Sequence, residues 1–350
     1  MNLLDQTLQH IRPIDPQWIH AASRRQLELT KPPGSLGRLE EIANRCAAIR
    51  ESFALTADRP RIVIFAADHG VCAEGVSPYP QEVTAQMVQN FLRGGAGINA
   101  LARSGGIELK VVDAGVASPL PPSSELISRR AAAGTRNFCQ EPAMTEAEMT
   151  SALETGIELA ADSVLAGCDL LGFGEMGIGN TTSASAIAAA LTGEPIDAVV
   201  GWGAGADDAG MARKCSAIRR ALALHAASLT SPLGILRAVG GLEIAAMCGF
   251  CLGAAARRVP VVTDGFIATA AAALAVRMSP ATSGYLFAAH RSVEPGHVHL
   301  LAVVQQEPVL DLGMRLGEAT GAALAMKIIQ AAVRAFTQMA TFAGAGVSNK

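Results

Sequence analysis

The sequence is poor in aromatic residues, in charge and in long apolar runs. Only 4% of its 350 residues are aromatic, and the formal net charge at pH 7 is −3. Nucleic-acid-binding proteins usually carry a basic stripe with interleaved aromatic side chains, so this composition argues against that class. Apolar runs such as residues 244–256 are shorter than the roughly 18–20 residues that span a bilayer. Because no signal-peptide pattern opens the chain, we expect a cytoplasmic protein without a membrane segment.

The seven cysteines follow no regular spacing. An odd, irregular set predicts reduced thiols and not a disulfide framework. Cys248 and Cys251 stand one helical turn apart in an apolar stretch, which favours two buried core thiols over a redox pair.

Hydrophobic residues and glycine are abundant, at 50% of the chain and 35 residues respectively, which is enough for a large core of small side chains. Apolar stripes at helical spacing occur within residues 1–57, and strands then alternate with helices. Predicted strands cover 62–67, 109–113, 168–173, 198–201 and 259–263, with 285–289 and 299–304 as further short candidates. Predicted helices cover 81–103, 145–165, 183–192, 207–228, 232–257, 266–278 and 313–340, and segment 116–140 is predicted as a surface loop. This alternation predicts an α/β fold with a mainly parallel sheet flanked by helices.

Glycine-bearing polar segments follow four of the predicted strands. They read DHG, GEMGIGN, GWGAG and DGF. Ligands of such folds lie beyond the carboxyl ends of the strands, so the four segments predict one shared site.

The segment DLLGFGEMGIGNTTSASAIAAA, residues 169–190, carries the strongest signal for that site. A strand, a glycine turn and a helix in succession place free backbone N–H groups at a helix N-terminus, which is a site for an anion and most often for phosphate. The segment matches neither a Walker loop nor a dinucleotide-binding fingerprint, and a purely structural turn stays an alternative. Glu175 is unusual in a phosphate cradle and suggests that positive charge or a hydroxyl is handled nearby.

Other candidate residues each have a structural and a functional interpretation. Asp207 or Asp208 could cap the next helix, and Lys214 is either a surface lysine or a phosphate contact. Glu318 follows Gly317 near the start of a helix, where it either complements the helix dipole or acts as a general base.

Histidines and acidic residues give only weak signals for a metal. Asp68, His69 and Glu74 form one such group, and three histidines fall within HRSVEPGHVHL, residues 290–300. Neither group shows ligand spacing, and Ser292 beside Arg291 fits an anion contact better.

Several motifs occur together in a characteristic order. They are KPPGSLGRLE, AADHGVCAEGVSPYPQEVTAQMV, GFGEMGIGNTTSASA, GGLEIAAMCG, DGFI, HRSVEPGH and LDLGMRLGEATGAALA. With them, about residues 3–342 of the chain resemble the nicotinate-nucleotide–dimethylbenzimidazole phosphoribosyltransferase family.

The resemblance implies transfer of phosphoribose from nicotinate mononucleotide to 5,6-dimethylbenzimidazole, giving α-ribazole 5′-phosphate and nicotinate for the lower ligand of cobalamin. It implies no metal and no cofactor, and a homodimer as the assembly. It also implies a Rossmann-like large domain, here residues 58–312, and a small helical domain built from both chain ends, residues 1–57 and 313–350.

The resemblance further implies roles for individual residues. Glu318 matches the family's general base, and Glu175 matches a second carboxylate that could stabilise positive charge on the ribose. The phosphoribosyl contacts map onto Gly177, Gly203, Lys214, Gly265 and Ser292, and the benzimidazole wall onto Tyr79, Gln81, Met87, Gln89, Met176 and Leu316. At Ala204 the family often carries Thr, and alanine offers no hydroxyl for a contact at that position.

Two other functions are compatible with parts of the pattern. A nucleotide-dependent oxidoreductase would carry a GxGxxG sequence after the first strand, where this chain has DHGVCAEG. A non-catalytic sensor of benzimidazoles or nucleotides would have no need for both Glu175 and Glu318.

Overall fold

Parallel strands form a single sheet at the centre of the computed structural model, which describes residues 2–203 and 205–348. The strands are β1 (Pro60–Ala67), β2 (Glu108–Gly115), β3 (Leu126–Ser128), β4 (Leu170–Met176), β5 (Val261–Thr263) and β6 (Leu286–Ala288). Their order across the sheet is β3-β2-β1-β4-β5-β6, and every neighbouring pair is parallel. The order reverses direction beside β1 and β4, which is where ligands bind in doubly wound sheets.

Helices cover both faces of this sheet, and their bounds follow in chain order. They are α1 (Leu3–His10), α2 (Pro16–Glu28), α3 (Arg38–Arg50), α4 (Glu82–Arg93), α5 (Gly97–Gly105), α6 (Glu146–Leu165), α7 (Asn180–Thr192), α8 (Ile196–Val199), α9 (Asp208–Leu224), α10 (Pro232–Val239), α11 (Leu242–Ala256), α12 (Phe266–Met278), α13 (Gly296–Val304), α14 (Thr320–Gln338) and α15 (Phe342–Ala345). Short 3₁₀ turns cover Gly70–Glu74, Ala226–Ser228 and Pro280–Tyr285. Among the residues described, no helix is both long and apolar enough to cross a bilayer.

The central strands are buried on both faces, which explains why their sequences are continuous apolar runs without alternation. In β1, Ile62 to Ala67 are at most 1% exposed. Ile64 pairs with Val111 of β2 on one side and with Gly174 of β4 on the other. The predicted α/β fold with a mainly parallel sheet is therefore confirmed.

Small residues let α6 and α11 pack closely beneath the sheet. A Cβ on Gly156 would overlap the backbone oxygen of Ala246, and one on Gly249 would overlap that of Leu153. Cys248 and Cys251 both belong to α11 and are fully buried. Both are free thiols. The interpretation of this cysteine pair as core residues is confirmed.

Helix starts follow local capping chemistry. Asp207 accepts a hydrogen bond from Gly210 N–H at 2.7 Å and so caps α9, as one of its two interpretations predicted. Thr145 and Glu148 form a reciprocal capping box at the start of α6.

Several predicted elements differ in the structure. Residues 198–201 hold the end of α8 and not a strand, and residues 299–304 belong to α13. Short apolar runs do not distinguish a strand from a buried helix by periodicity, which explains both errors. The predicted helix 81–103 is broken at Gly94, whose φ of 79° ends α4. The loop predicted over 116–140 contains β3, and α14 begins only at Thr320.

The two ends of the chain meet in space. Helix α3 packs against both α2 and α14, and Thr30 N–H donates to the carbonyl of Ala340 at 3.0 Å. Helix α1, in contrast, packs on α6 and α11. The division into a small terminal domain (1–57 with 313–350) and a large one (58–312) stays a prediction.

Candidate active site

A cavity of about 720 Å³ opens at the carboxyl edge of the sheet. Its walls are the segments that follow β4, β5 and β6, one face of α4, Gly203, and the stretch just before α14. Three of the four glycine-bearing segments follow strands as predicted. The fourth begins at Gly201, after α8, and reaches the cavity through Gly203. The DHG segment after β1 contributes no residue to the cavity lining, so the prediction of one site shared by all four segments is wrong for that segment.

The structure brings most of the predicted site residues to this cavity. Both carboxylates line it, together with four of the five predicted phosphoribosyl contacts and four of the six predicted benzimidazole contacts. These residues are Glu175 and Glu318; Gly177, Gly203, Gly265 and Ser292; and Tyr79, Met87, Met176 and Leu316.

Three predicted residues do not line the cavity. Lys214 lies just behind it, 3% exposed, and its Nζ donates to Gly201 O and Thr181 Oγ1 at 3.1 Å each. It is therefore not a surface lysine. The Gln81 side chain donates to the carbonyl of His69 at 3.0 Å, and the Gln89 side chain accepts from Arg93 at 3.2 Å. Ala204 lies outside the described residues.

Glu175 is the penultimate residue of β4, and it lines the cavity. Asn180, the first residue of α7, donates its side-chain N–H to Glu175 Oε2. Only glycine fits at position 177, since a Cβ there would overlap the backbone oxygen of Ala67. Burial raises the pKa of Glu175 to about 8; the Asn180 hydrogen bond opposes this rise, and nearby carboxylates such as Glu243 reinforce it.

Glu318 does not lie in the first turn of a helix, because α14 begins two residues later. Dipole complementation within a helical turn is therefore not its role. Its Oε2 accepts a hydrogen bond from the backbone N–H of Ile98, at the start of α5, at 3.3 Å. Burial raises the pKa of Glu318; this hydrogen bond lowers it, and the charge of Asp264 adds to the rise. A partly desolvated carboxylate of this kind is a stronger base than one in water.

Four further ionisable residues line the cavity and were not assigned from the sequence: Asp264, His290, Glu294 and Arg315. Glu294 Oε1 accepts from Gly203 N–H at 3.0 Å, and the Arg315 guanidinium donates to Gly203 O at 3.1 Å. The motifs DGF and HRSVEPGH contain three of the four, and their place after predicted strands was the available signal.

Arg291 points away from the cavity. Its guanidinium lies 3.4 Å from the carboxylate of Asp311, and both side chains are exposed. The cation that reaches the cavity near Ser292 is Arg315 instead.

The weak candidates for metal ligands have other partners. His69 Nε2 lies 2.6 Å from Glu243 Oε1 in a fully buried pair, and Glu74 is bonded to Asn137 and Arg220. Within the described part of the chain, no group of three His, Cys, Asp or Glu side chains is arranged to hold a metal ion.

A parallel α/β sheet with a glycine turn, a helix N-terminus and buried carboxylates around one cavity is typical of enzymes that act on phosphorylated small molecules. A family model described as "Phosphoribosyltransferase" matches residues 11–347. The chain is 55% identical over 352 residues to the "Nicotinate-nucleotide--dimethylbenzimidazole phosphoribosyltransferase" of Chloroflexus aggregans, covering 100% of this chain and 99% of that protein. It is 51% identical to the protein of the same name from Geobacter sulfurreducens, covering 99% of each.

The fold agrees with these matches. A crystal structure of CobT from Thermus thermophilus superposes with a TM-score of 0.92 at 48% identity, covering 96% of this chain and 100% of that one. The chain belongs to the nicotinate-nucleotide–dimethylbenzimidazole phosphoribosyltransferase family. It is a transferase, so the predicted resemblance is confirmed and the oxidoreductase and sensor interpretations are wrong.

Proposed function

We propose that this enzyme transfers the phosphoribosyl group of nicotinate mononucleotide to a ring nitrogen of 5,6-dimethylbenzimidazole. The products are α-ribazole 5′-phosphate and nicotinate, and the reaction serves assembly of the lower ligand of cobalamin. The observation that carries the proposal is the pair of buried carboxylates, Glu175 and Glu318, facing one cavity beside a glycine turn and a helix N-terminus.

Glu318 is the general base of the proposed reaction. Benzimidazole has one nitrogen with a lone pair and one with a proton. The lone pair attacks C1′ of the ribose while Glu318 removes the proton from the other nitrogen. The exposed side chain of Leu316 and the half-buried side chain of Met87 provide apolar surface for the flat ring beside this base.

The phosphoribosyl group is anchored at the glycine-rich end of the cavity. Gly177, Gly203, Gly265 and Ser292 are the contacts, and the N-terminus of α7 favours negative charge there. Lys214 contributes its charge from behind Gly203. Such anchoring orients C1′ toward the attacking nitrogen and lowers the barrier by restricting motion.

Glu175 stabilises the positive charge that develops on the ribose as the bond to nicotinate breaks. Nicotinate leaves from a cationic pyridinium and becomes a ring with a neutral nitrogen, so the step needs no strong acid. With the leaving group already activated, the proposed reaction requires neither a metal nor a cofactor.

The assembly that we propose is a cytoplasmic homodimer. The exposed side chain of Leu316 lines the cavity, and the exposed side chains of Trp202 and Val293 stand next in the chain to its lining residues Gly203 and Ser292. A second copy of the chain could cover such side chains. A mass of about 36 kDa by light scattering, that of a single chain, would contradict the dimer.

The experiment is incubation of the enzyme with nicotinate mononucleotide and 5,6-dimethylbenzimidazole, followed by mass detection of α-ribazole 5′-phosphate. We expect Glu318→Gln to lower kcat by about 10²- to 10⁴-fold while the protein stays folded, since general bases contribute that much. The matched control is Glu125→Gln, at an exposed glutamate, and should leave kcat unchanged. Absence of product from the wild-type enzyme rejects the proposed function, and near-normal turnover of Glu318→Gln rejects the general base.

A further inference from the structure

The segment that carries Glu318 has an unusual backbone. Gly317, Glu318 and Ala319 have φ values of 82°, 59° and 63°, so three consecutive residues are left-handed. Glycine adopts this conformation freely, whereas Glu and Ala do so only when their surroundings enforce it. Something outside the segment must therefore hold Glu318 at the cavity.

The helix that follows cannot cap itself. Ala319 is the N-cap residue of α14, and its side chain offers no acceptor for the free N–H groups of the first turn. The acceptor comes from the end of β5, where Asp264 Oδ1 receives the N–H of Ala322 at 2.9 Å. The N–H of Gly321 also donates to this carboxylate. A buried carboxylate at this position satisfies the helix end and complements its dipole.

Close packing fixes the same segment from two further sides. A Cβ on Gly321 would overlap the ring of His290, whose Nε2 lies 3.9 Å from Asp264 Oδ1. A Cβ on Gly174 of β4 would overlap the backbone nitrogen of Ala319. The start of α14 therefore has little room to move as long as Asp264 holds its N–H groups.

We propose that Asp264 is a positioning residue for Glu318: by capping α14 from the end of β5, it keeps the left-handed segment 317–319 in place and Glu318 directed into the cavity. The inference rests on the proposed function, in which Glu318 is the general base. Asp264 itself takes no part in the proton transfer.

A double-mutant cycle tests this role. We expect Asp264→Ala to lower kcat by about 10²-fold, since small misplacements of a catalytic group cost about that much. Asp264→Asn retains an oxygen that can accept the Ala322 N–H, so its loss of kcat should be at most about tenfold. In the Glu318→Gln background, Asp264→Ala should cost less than about threefold more, because residues that act as a unit give non-additive losses.

Equal losses from Asp264→Ala in both backgrounds would overturn the proposal, because Asp264 would then act independently of Glu318. A rise in KM for nicotinate mononucleotide with kcat unchanged would also overturn it, since that pattern indicates direct contact with the substrate. If Asp264→Ala does not fold, Asp264→Asn and Asp264→Ser complete the cycle.

Amide hydrogen exchange gives a readout that does not depend on activity. The amide of Ala322 should exchange faster in Asp264→Ala than in the wild-type enzyme, at an intermediate rate in Asp264→Asn, and at the wild-type rate in Glu318→Gln. Unchanged exchange in Asp264→Ala would reject the cap even if the enzyme proved to catalyse another reaction. Product formation by the wild-type enzyme tests the proposed function separately.

Discussion

Glu175 and Glu318 are ionisable side chains that the fold largely removes from water, and this sets their chemistry. Each is 7% exposed. Burial favours the neutral form, so the pKa of Glu318 is raised and that of Glu175 rises to about 8. In the proposed reaction Glu318 must accept a proton and Glu175 must face a positive charge. A raised pKa makes Glu318 a better proton acceptor. The cationic pyridinium ring of the substrate, when it lies near Glu175, favours the ionised form of that carboxyl group.

His297 is a buried histidine whose hydrogen bonds define its protonation. Its Nδ1 accepts the backbone N–H of Ser292 at 2.9 Å, and its Nε2 lies 3.0 Å from Thr269 Oγ1. Burial lowers the pKa of His297 to about 3, and the charges of His290 and Arg291 contribute smaller parts of this shift. The ring is therefore neutral at physiological pH and carries its proton on Nε2, which donates to Thr269. This arrangement fixes the loop on which Ser292 faces the cavity.

Substitution of His297 should therefore affect binding of the phosphoribosyl donor. His297→Asn retains an acceptor at the position of Nδ1, whereas His297→Gln moves the acceptor away from the Ser292 N–H. Loss of one buried hydrogen bond costs on the order of 1 kcal/mol, so we expect KM for nicotinate mononucleotide to rise about five- to tenfold in His297→Gln. In both variants kcat should change little. Steady-state kinetics would contradict the role if the two variants behaved alike or if kcat fell instead.

The sequence contained part of this site at the scale of residues. Glu175 could be found because a carboxylate in a glycine turn is unusual, and Glu318 because it lies in a recognisable motif. Asp264, which also lines the cavity, bonds to a residue 58 positions further along the chain. Such a contact has no local pattern, so it becomes visible only when the ends of β5 and the start of α14 are seen together.

At the scale of elements, the strong alternation of strands and helices predicted the central sheet. Strands β1, β2, β4 and β5 lie where buried apolar runs were found, and β6 lies within one of the short candidates. The two wrong strand assignments, at α8 and α13, concern short apolar runs for which length and periodicity do not decide between strand and helix. The order of the strands was beyond reach, since it depends on pairing between distant segments.

Close backbone contact between α6 and α11 is the element-scale feature most sensitive to substitution. We expect Gly249→Ala to lower the free energy of unfolding by about 1–3 kcal/mol, because its Cβ would overlap the carbonyl of Leu153 and force the helices apart. Ser151→Ala, on the exposed face of α6, is the control and should change stability by less than about 0.5 kcal/mol. Urea denaturation measures both.

Activity distinguishes a packing effect from an effect on the site. Neither α6 nor α11 contributes a residue to the cavity lining. The folded fraction of Gly249→Ala should therefore keep wild-type kcat. Wild-type stability of Gly249→Ala, or a specific loss of kcat without a loss of stability, would contradict this account of the helix pair.

For the molecule as a whole, the buried carboxyl groups of the site make stability depend on pH. Besides Glu175, burial raises the pKa of Asp264, Glu294 and Glu318. A carboxyl group with a folded pKa above its unfolded value binds more protons in the folded state, so its contribution to stability is complete below the unfolded pKa. That contribution is lost as the pH rises through the folded pKa. For Glu175 this window runs from 4.5 to about 8.

Between pH 6.5 and 8 we therefore expect the free energy of unfolding to fall as pH rises. The lowered pKa of His297 makes stability rise with pH, but only below its unfolded pKa of 6.5, so this effect lies outside the range from pH 6.5 to 8. Each proton titrated over about 1.5 pH units changes stability by at most about 2 kcal/mol. Glu175→Gln removes one such group and should give a flatter pH dependence and a higher stability than the wild-type enzyme at pH 8.

The control for this experiment is Glu148→Gln. Its hydrogen bond with Arg136 lowers the pKa of Glu148 to about 2, so the group stays ionised across the window. Removal of this carboxylate in Glu148→Gln should therefore change the free energy of unfolding by the same amount at every pH from 6.5 to 8. Urea denaturation of the wild-type enzyme, Glu175→Gln and Glu148→Gln at several pH values measures the pH dependence of stability in each. If Glu175→Gln retained the wild-type slope, Glu175 would not be the titrating group. An enzyme that gains stability at pH 8 while losing catalysis would show that the site keeps a destabilising carboxylate for its chemistry.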